Sequence, residues 1–166
     1  PKVLELGASP AAAVLATVLK AQVTAIDSDA RAIDHLKERL KVAGLTDKIT
    51  VKQIGWNALP FPEQAFDGIL ALGKLIAPPE HAAMGLRRLL APKGRLAITW
   101  PVRVGRNPEA KALDFWHARV GQPLQLPREA LMSVERHGFE LETIETVGET
   151  ELDEYYRELE GVLDRQ

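Results

Sequence analysis

The chain has 166 residues, of which 46% are hydrophobic and 27% are charged, as is usual for a globular protein. Its net charge of −2 gives no electrostatic reason for non-specific nucleic-acid binding, so we expect no nucleic-acid partner. It contains no cysteine, which excludes disulfides, thiolate nucleophiles and cysteine-based zinc sites and favours a cytoplasmic location.

The first part of the chain predicts two strands joined by a short helix. A strand at about Lys2–Leu6 runs directly into the small-residue turn Gly7–Ser9. A helix is predicted over about Pro10–Lys20, and its apolar stretch is too short to span a bilayer, so we expect no membrane association. A second strand, Gln22–Asp27, ends on an acid. This order is typical of a nucleotide-binding Rossmann half.

The next segment predicts a second helix and a third strand. Asp29 is suited to cap a helix over Ala30–Ala43, in which apolar residues recur three or four positions apart. Gly44 would end this helix as its C-cap. The alternating apolar and polar residues of Ile49–Ile54 predict the third strand.

Prolines mark the boundaries in the middle of the chain. The loop Leu59–Pro62 contains two prolines, which neither a helix interior nor a central strand accommodates. Gly68–Leu72 is almost wholly apolar, which predicts a fourth strand buried on both faces. A helix is predicted over Pro78–Leu90, and the turn Pro92–Gly94 then leads into a fifth strand, Arg95–Trp100.

Beyond Pro101 the pattern is less regular. The predicted elements are a loop over Val102–Pro108, helices over Glu109–Val120 and Pro127–His137, a sixth strand over Phe139–Thr146 and a helical tail over Glu149–Arg165. We expect a single domain over residues 1–166, with its core in 2–146 and a C-terminal helix in 147–166.

The alternation of strands and helices predicts the fold class. It is an α/β, Rossmann-like, doubly wound fold, in which a mostly parallel sheet lies between two layers of helices (α/β/α). Ligands of such sheets bind at the carboxyl ends of the strands, near the point where the strand order reverses. We therefore expect a ligand site at the turns that follow the first four strands.

The turn after the first strand carries an acid, Glu5, two residues before Gly7. A dinucleotide-binding G-x-G-x-x-G frame would read Gly7, Ser9 and Ala12, so only one of its glycines is present and a close pyrophosphate contact is disfavoured. Glu5 suits a cationic group, such as the ammonium of a cofactor that carries an amino acid. Alternatively, it is a strand-end acid paired with a lysine.

Two further strand ends carry candidate binding residues. Asp27 lies twenty residues beyond Gly7, the separation that brings an acid to ribose hydroxyls. Asp27 could instead be a helix cap, although Asp29 is the better candidate. After the third strand, Trp56 could stack on a purine, with Asn57 bonded to the purine's amino edge, or Trp56 could fill the core.

Five short motifs occur along the chain in a fixed order. They are Glu5–Ser9, Ala25–Asp27, Leu59–Pro62 with Phe66–Leu70, Leu89–Leu96, and His137–Glu140. Together they resemble the motifs of the class I S-adenosylmethionine-dependent methyltransferases, over about residues 2–146. The resemblance implies a Rossmann-like fold, S-adenosylmethionine as cofactor and methyl transfer as activity.

The resemblance also implies which residues contact the cofactor. Glu5 would face the methionine amino group indirectly, the turn Gly7–Ser9 would line the cofactor, and Asp27 would hold the ribose. Ser9 and Ala11 stand where the family's first motif usually has glycine. The implied cofactor-binding residues are Glu5, Gly7, Ala8, Ser9, Asp27, Ser28, Gly55, Trp56, Asn57 and Leu72.

No catalytic residue is assigned, because in methyl transfer the enzyme mostly supplies proximity and orientation. The segment Leu72–Leu75 lacks the Asn-Pro-Pro-aromatic motif of members that methylate nucleic-acid bases or glutamine, so we expect a small-molecule acceptor. Lys74 could orient an anionic acceptor or be a solvated loop residue. The four histidines share no short spacing, so no metal site is expected.

Three hypotheses about function stay open. The first is S-adenosylmethionine-dependent methyl transfer to a small molecule. The second is a methyltransferase-like domain without transfer activity that serves as a binding or scaffold module, which Ser9, Ala11 and the lack of an acid after the third strand favour. The third, a nicotinamide-dependent oxidoreductase, shares the Asp27 spacing but does not account for the Pro92–Gly94 turn.

Overall fold

The computed structural model describes residues 1–55, 59–72, 84–105 and 109–148, together with Thr150, Asp153 and Arg157 of the tail. These three tail residues are helical. Several predictions lie outside the described residues: Trp56 and Asn57, Lys74, the start of the helix at Pro78, and the rest of the C-terminal helix.

The centre of the structure is a five-stranded sheet in which every neighbouring pair of strands is parallel. The strands are β1 (Lys2–Leu6), β2 (Gln22–Asp27), β3 (Ile49–Gln53), β4 (Phe66–Ala71) and β5 (Leu90–Ile98). Their order is β3-β2-β1-β4-β5, so the strand order reverses between β1 and β4. The predicted Rossmann-like α/β fold with a parallel sheet is confirmed.

Buried side chains form two clusters, one on each face of the sheet. Val3 belongs to one cluster and Leu4 to the other, because successive side chains of a strand point to opposite faces. The first face is covered by α1 (Ala11–Thr17) and α2 (Ala30–Val42). The second is covered by residues 59–66, by Leu86 and Leu89, and by Phe139. Two more helices follow β5: α3 (Ala110–Val120) and α4 (Pro127–Glu135).

The first and last turns of the helices on the first face are marked by individual residues. Asp29 caps α2 as predicted, because its Oδ1 accepts the Arg31 N–H at 2.9 Å. Gly44 follows the last turn of α2 with a left-handed φ of +66°, the conformation that glycine adopts at least cost. α1 ends at Thr17, before the predicted end at Lys20, whose own φ of 50° is left-handed and incompatible with a helix.

β5 differs from its prediction at both ends. Between the pairs Phe66–Leu90 and Gly68–Arg95 the chain advances two residues along β4 but five along β5. The predicted turn at Pro92–Gly94 is therefore a bulge inside the strand and not a turn before it. The preceding helix ends earlier than predicted: its last helical residue is 87, and Leu90 is already the first residue of β5.

The predicted sixth strand, Phe139–Thr146, is wrong: residues 139–148 form neither strand nor helix. Phe139 packs against the core of the second face, but Leu141 and Ile144 are 46% and 61% exposed. The alternation of apolar and polar residues that predicted this strand reflects only its side chains. A strand also needs a neighbour to satisfy its backbone N–H and C=O groups.

Candidate cofactor-binding site

The carboxyl ends of β1, β2 and β4 bring three predicted site residues to one level of the sheet. Leu6 pairs with Ile26, and Glu5 pairs with Leu70. Because these pairs are parallel and in register, the next positions, Gly7, Asp27 and Leu72, follow at the ends of adjacent strands. This edge includes the reversal between β1 and β4, where sheets of this kind bind ligands.

Gly7 is the residue of the first turn that has to be glycine. It is buried, its φ is +110°, and its N–H donates to the Ile26 carbonyl at 2.8 Å. A φ of +110° lies outside even the left-handed helical region open to residues with a Cβ. Ser9 and Ala11, by contrast, do not have positive φ. Serine and alanine at these two positions therefore place no strain on the backbone.

The Glu5 carboxylate lies inside the turn that it precedes. Glu5 is 2% exposed, and its Oε1 accepts the Ser9 N–H at 3.2 Å. The Ser9 hydroxyl in turn accepts the Ala11 N–H at 3.1 Å, which turns the serine side chain towards the start of α1. Glu5 and Ser9 thus fix the shape of the turn.

Asp27 orders the turn between β2 and α2. It is 1% exposed, and its Oδ1 accepts the Asp29 N–H at 3.0 Å. Its own carbonyl accepts the Ile54 N–H at 2.9 Å, which ties the end of β3 to the end of β2. The neighbouring Ser28 side chain is exposed. The Asp27 carboxylate is thus held within the turn, and the next side chain along the chain, Ser28, is exposed.

The remaining predicted residues lie at the rim or outside the described chain. Gly55 is exposed, Leu72 is 43% exposed, Ala8 is half-buried, and Trp56 and Asn57 lie in the part that is not described.

Sequence reasoning missed two side-chain contacts, one at the rim of the site and one near the amino ends of β4 and β5. Gln53 Nε2 donates to the Ser28 carbonyl at 3.2 Å, and Arg88 donates to the carbonyls of Leu59 and Phe61 at 2.9 and 3.1 Å. The signal for Gln53 was an amide side chain at the carboxyl end of a strand. For Arg88, no signal in the sequence identifies carbonyls that lie 27 and 29 residues away.

An open cavity of about 850 Å³ lies at the opposite edge of the sheet. Lys2, Gln22, Lys48 and Asp67 line it, all near the amino ends of strands. Ligands of parallel sheets bind at the carboxyl ends, so this cavity is separate from the candidate site.

Neither a metal centre nor a membrane span accompanies this site in the described part of the chain. Within the described ranges, no three His, Asp or Glu side chains lie close enough together to hold a metal ion. None of the helices described above is long and apolar enough to cross a membrane.

Comparison with known proteins identifies a family. Residues 3–94, more than half of the chain, match the model of a family described as "Methyltransferase domain". No curated protein matches the chain significantly in sequence.

Solved structures share the fold. The [4+2]-cyclase SpnF is 26% identical with a TM-score of 0.68, over 84% of this chain and 52% of that one. Geranyl diphosphate C-methyltransferase from Streptomyces coelicolor A3(2), in complex with Mg²⁺, geranyl diphosphate and S-adenosyl-L-homocysteine, is 15% identical with a TM-score of 0.70, over 86% and 55%. A SAM dependent methyltransferase from Aquifex aeolicus is 21% identical with a TM-score of 0.65, over 89% and 76%. The chain thus spans about half the length of the first two proteins.

Proposed function

The chain belongs to the methyltransferase-domain family, and from this we propose that it transfers a methyl group from S-adenosylmethionine to a small-molecule acceptor. The observation that carries the proposal is the meeting of the Gly7 turn and Asp27 at the carboxyl ends of adjacent strands. Such an arrangement suits a ligand with an adenosine part and a charged amino-acid part.

The residues of this edge fit S-adenosylmethionine. Gly7 brings backbone close to a ligand without a Cβ, and the Glu5 carboxylate fixes the Ser9 amide beside it. Asp27 supplies the carboxylate suited to ribose hydroxyls, with the Ser28 hydroxyl next to it. When bound, the cofactor supplies an activated methyl group on its sulfonium.

The chain's own contribution to the reaction is orientation. Proximity and alignment account for much of the barrier reduction in a bimolecular transfer, and no dedicated base is required of the site. The acceptor is expected beyond the ends of β4 and β5, because these strands end at the same edge of the sheet as β1 and the Gly7 turn. Loops beyond strand ends vary in sequence more readily than the sheet that carries them.

Calorimetric titration with S-adenosylmethionine and S-adenosylhomocysteine tests the proposal. We expect binding that Asp27→Asn weakens at least about tenfold, because a charged hydrogen bond to the ribose is lost. The asparagine keeps the oxygen that accepts the Asp29 N–H, so the turn is preserved. Asp47→Asn is the matched control, because Asp47 is exposed at the opposite edge.

Failure of both cofactors to bind a folded, monodisperse sample would refute the proposal. Equal affinity in Asp27→Asn would remove Asp27 from the site. Tight binding of NAD in their place would favour the oxidoreductase hypothesis.

A second function, a methyltransferase-like module without transfer activity, is favoured by two observations. Glu5 and Asp27 are both almost fully buried, so their carboxylates already serve the protein's own turns. In addition, the 26% identical structure is that of a [4+2]-cyclase. The test is S-adenosylhomocysteine formation with a panel of alcohols, phenols, amines, carboxylic acids and thiols. Cofactor binding without turnover on any of them would favour the second function.

A further inference from the structure

Gln53, the last residue of β3, lies beside Asp27 in the sheet. The two residues are direct partners in the parallel register of β2 and β3. Partner residues of neighbouring strands point their side chains to the same face, and the strands lie about 4.8 Å apart. The Gln53 side chain therefore leaves the sheet next to the carboxylate that the proposed function assigns to the ribose.

One peptide group, between Ser28 and Asp29, joins these two side chains. Its carbonyl accepts a hydrogen bond from Gln53 Nε2 at 3.2 Å, and its N–H donates to Asp27 Oδ1 at 3.0 Å. The peptide is trans, so its C=O and N–H point in opposite directions. A single rigid plane is thus held by Gln53 on one side and by Asp27 on the other.

The contact to the Ser28 carbonyl requires a hydrogen-bond donor at position 53. A carbonyl oxygen only accepts, so the part of the Gln53 amide that faces it is the NH₂ group. Gln53 is exposed, so replacing it does not open the core. The backbone of β3 stays tied to β2 in such a variant, because the Ile54 N–H donates to the Asp27 carbonyl at 2.9 Å.

We infer that Gln53 is a positioning residue that strengthens ribose binding through Asp27. This inference rests on the ribose role that the proposed function gives to Asp27. If the Ser28–Asp29 peptide rotates, its N–H moves away from Oδ1 and the carboxylate gains other orientations. These orientations are lost again when the ribose binds, which lowers the affinity. By holding the peptide carbonyl, Gln53 keeps the Asp27 carboxylate in one direction before the ligand arrives.

The experiment compares Gln53→Leu and Gln53→Glu with the wild type in titrations of S-adenosylhomocysteine, adenosine and 2′,3′-dideoxyadenosine. We expect both variants to weaken the first two ligands about threefold, since one hydrogen bond is lost and its effect is indirect. Glutamate keeps the shape of glutamine, but at neutral pH it is ionised and cannot donate. The dideoxy compound lacks both ribose hydroxyls and should bind all three proteins equally.

Gln22→Leu is the matched control. Gln22 is an exposed glutamine at the amino end of β2, the strand that carries Asp27 at its other end. Its substitution should leave the affinities for all three ligands unchanged.

Two further measurements show that Gln53 acts through Asp27. In ¹⁵N–¹H NMR spectra of the ligand-free protein, Gln53→Leu should shift the amide signal of Asp29 and speed its hydrogen exchange, whereas Gln22→Leu should do neither. Asp27→Asn removes the charge that Gln53 orients. Adding Gln53→Leu to this variant should therefore weaken adenosine less than it does in the wild type, a non-additivity expected of coupled residues.

The inference is overturned if Gln53→Glu keeps wild-type affinity, if the Asp29 amide is unaffected, or if the dideoxy compound is weakened as much as adenosine. Fully additive losses in the double variant would also overturn it, because they would indicate a direct contact between Gln53 and the ligand.

The outcomes separate this inference from the proposed function. S-adenosylhomocysteine binding that does not respond to the Gln53 variants would refute the inference alone. Adenosine binding that responds as expected, without any S-adenosylhomocysteine binding, would refute the proposed function and leave the role of Gln53 supported. If the wild type binds neither ligand, both are refuted.

Discussion

The backbone of Gly7 offers the sharpest test of the first turn. Gly7 has a φ of +110° in a buried position, and its N–H is bonded to the Ile26 carbonyl, so the turn cannot relax without losing that bond. In Gly7→Ala the added Cβ makes this φ unfavourable, at a cost of about 1–3 kcal/mol in the free energy of unfolding. For a chain of this length, each kcal/mol lowers Tm by roughly 2–4 °C.

The control for this substitution is Gly44→Ala. Gly44 has a φ of +66°, and a Cβ built there has no atom within 4 Å, so only the backbone conformation is penalised. We expect a cost of about 1–2 kcal/mol, which is typical of a left-handed residue with a Cβ. Gly44 lies at the end of α2, away from the carboxyl edge, and its substitution should leave S-adenosylhomocysteine affinity unchanged.

Thermal unfolding followed by circular dichroism measures the stability of both variants, and calorimetry measures their affinity for S-adenosylhomocysteine. We expect Gly7→Ala to weaken the cofactor even at temperatures where the variant is fully folded, because the turn amides move. A Gly7→Ala protein with wild-type Tm and wild-type affinity would refute both the assigned backbone strain and the role of the turn. Equal losses of affinity in both glycine variants would indicate an effect on the fold alone.

Two further predictions concern the scaffold. Gly94→Ala should lower the free energy of unfolding by about 1–3 kcal/mol, because its Cβ would lie 2.9 and 3.2 Å from two backbone carbonyl oxygens. The control is Gly85→Ala, which should be neutral or stabilising because a Cβ there has no atom within 4 Å; equal Tm values for the two variants would contradict this reasoning. Asp29→Ala should lower the free energy of unfolding, measured in urea, by about 1 kcal/mol, because the cap of α2 is lost. The control Asp34→Ala removes only an exposed ion pair and should cost less than about half as much; the reverse ranking would count against the cap.

The parts of the fold that local chemistry determines were predictable from the sequence. β1 and β2 have their predicted bounds, and α2 begins at its predicted cap, Asp29. Strand alternation, an aspartate before an amphipathic segment and a glycine after it all act within a few residues. Because such signals do not depend on distant parts of the molecule, they can be recognised in the amino-acid sequence alone.

The parts that depend on a distant neighbour were not predictable. The segment Phe139–Thr146 alternates like a strand, yet strand pairing requires an adjacent edge, which no local pattern specifies. Pro92–Gly94 has the composition of a turn. It is a bulge because β5 pairs with β4 both before this segment, at Leu90, and after it, from Arg95 onwards. The site follows the same rule: Gly7 was identified by its position after a strand, whereas the contact from Gln53 to Ser28 depends on how β2 and β3 align.

The bulge in β5 also bears on how the protein behaves at high concentration. β5 is the last strand in the order of the described sheet, and such a strand can serve as a template for pairing with another molecule. Pro92 has no N–H to donate, and Lys93, with a φ of 64°, interrupts the pleat. Arg95, whose Nε donates to Glu142 Oε1 at 3.0 Å, adds an exposed ion pair immediately afterwards. We therefore expect these three residues to oppose growth of the sheet from one molecule to the next.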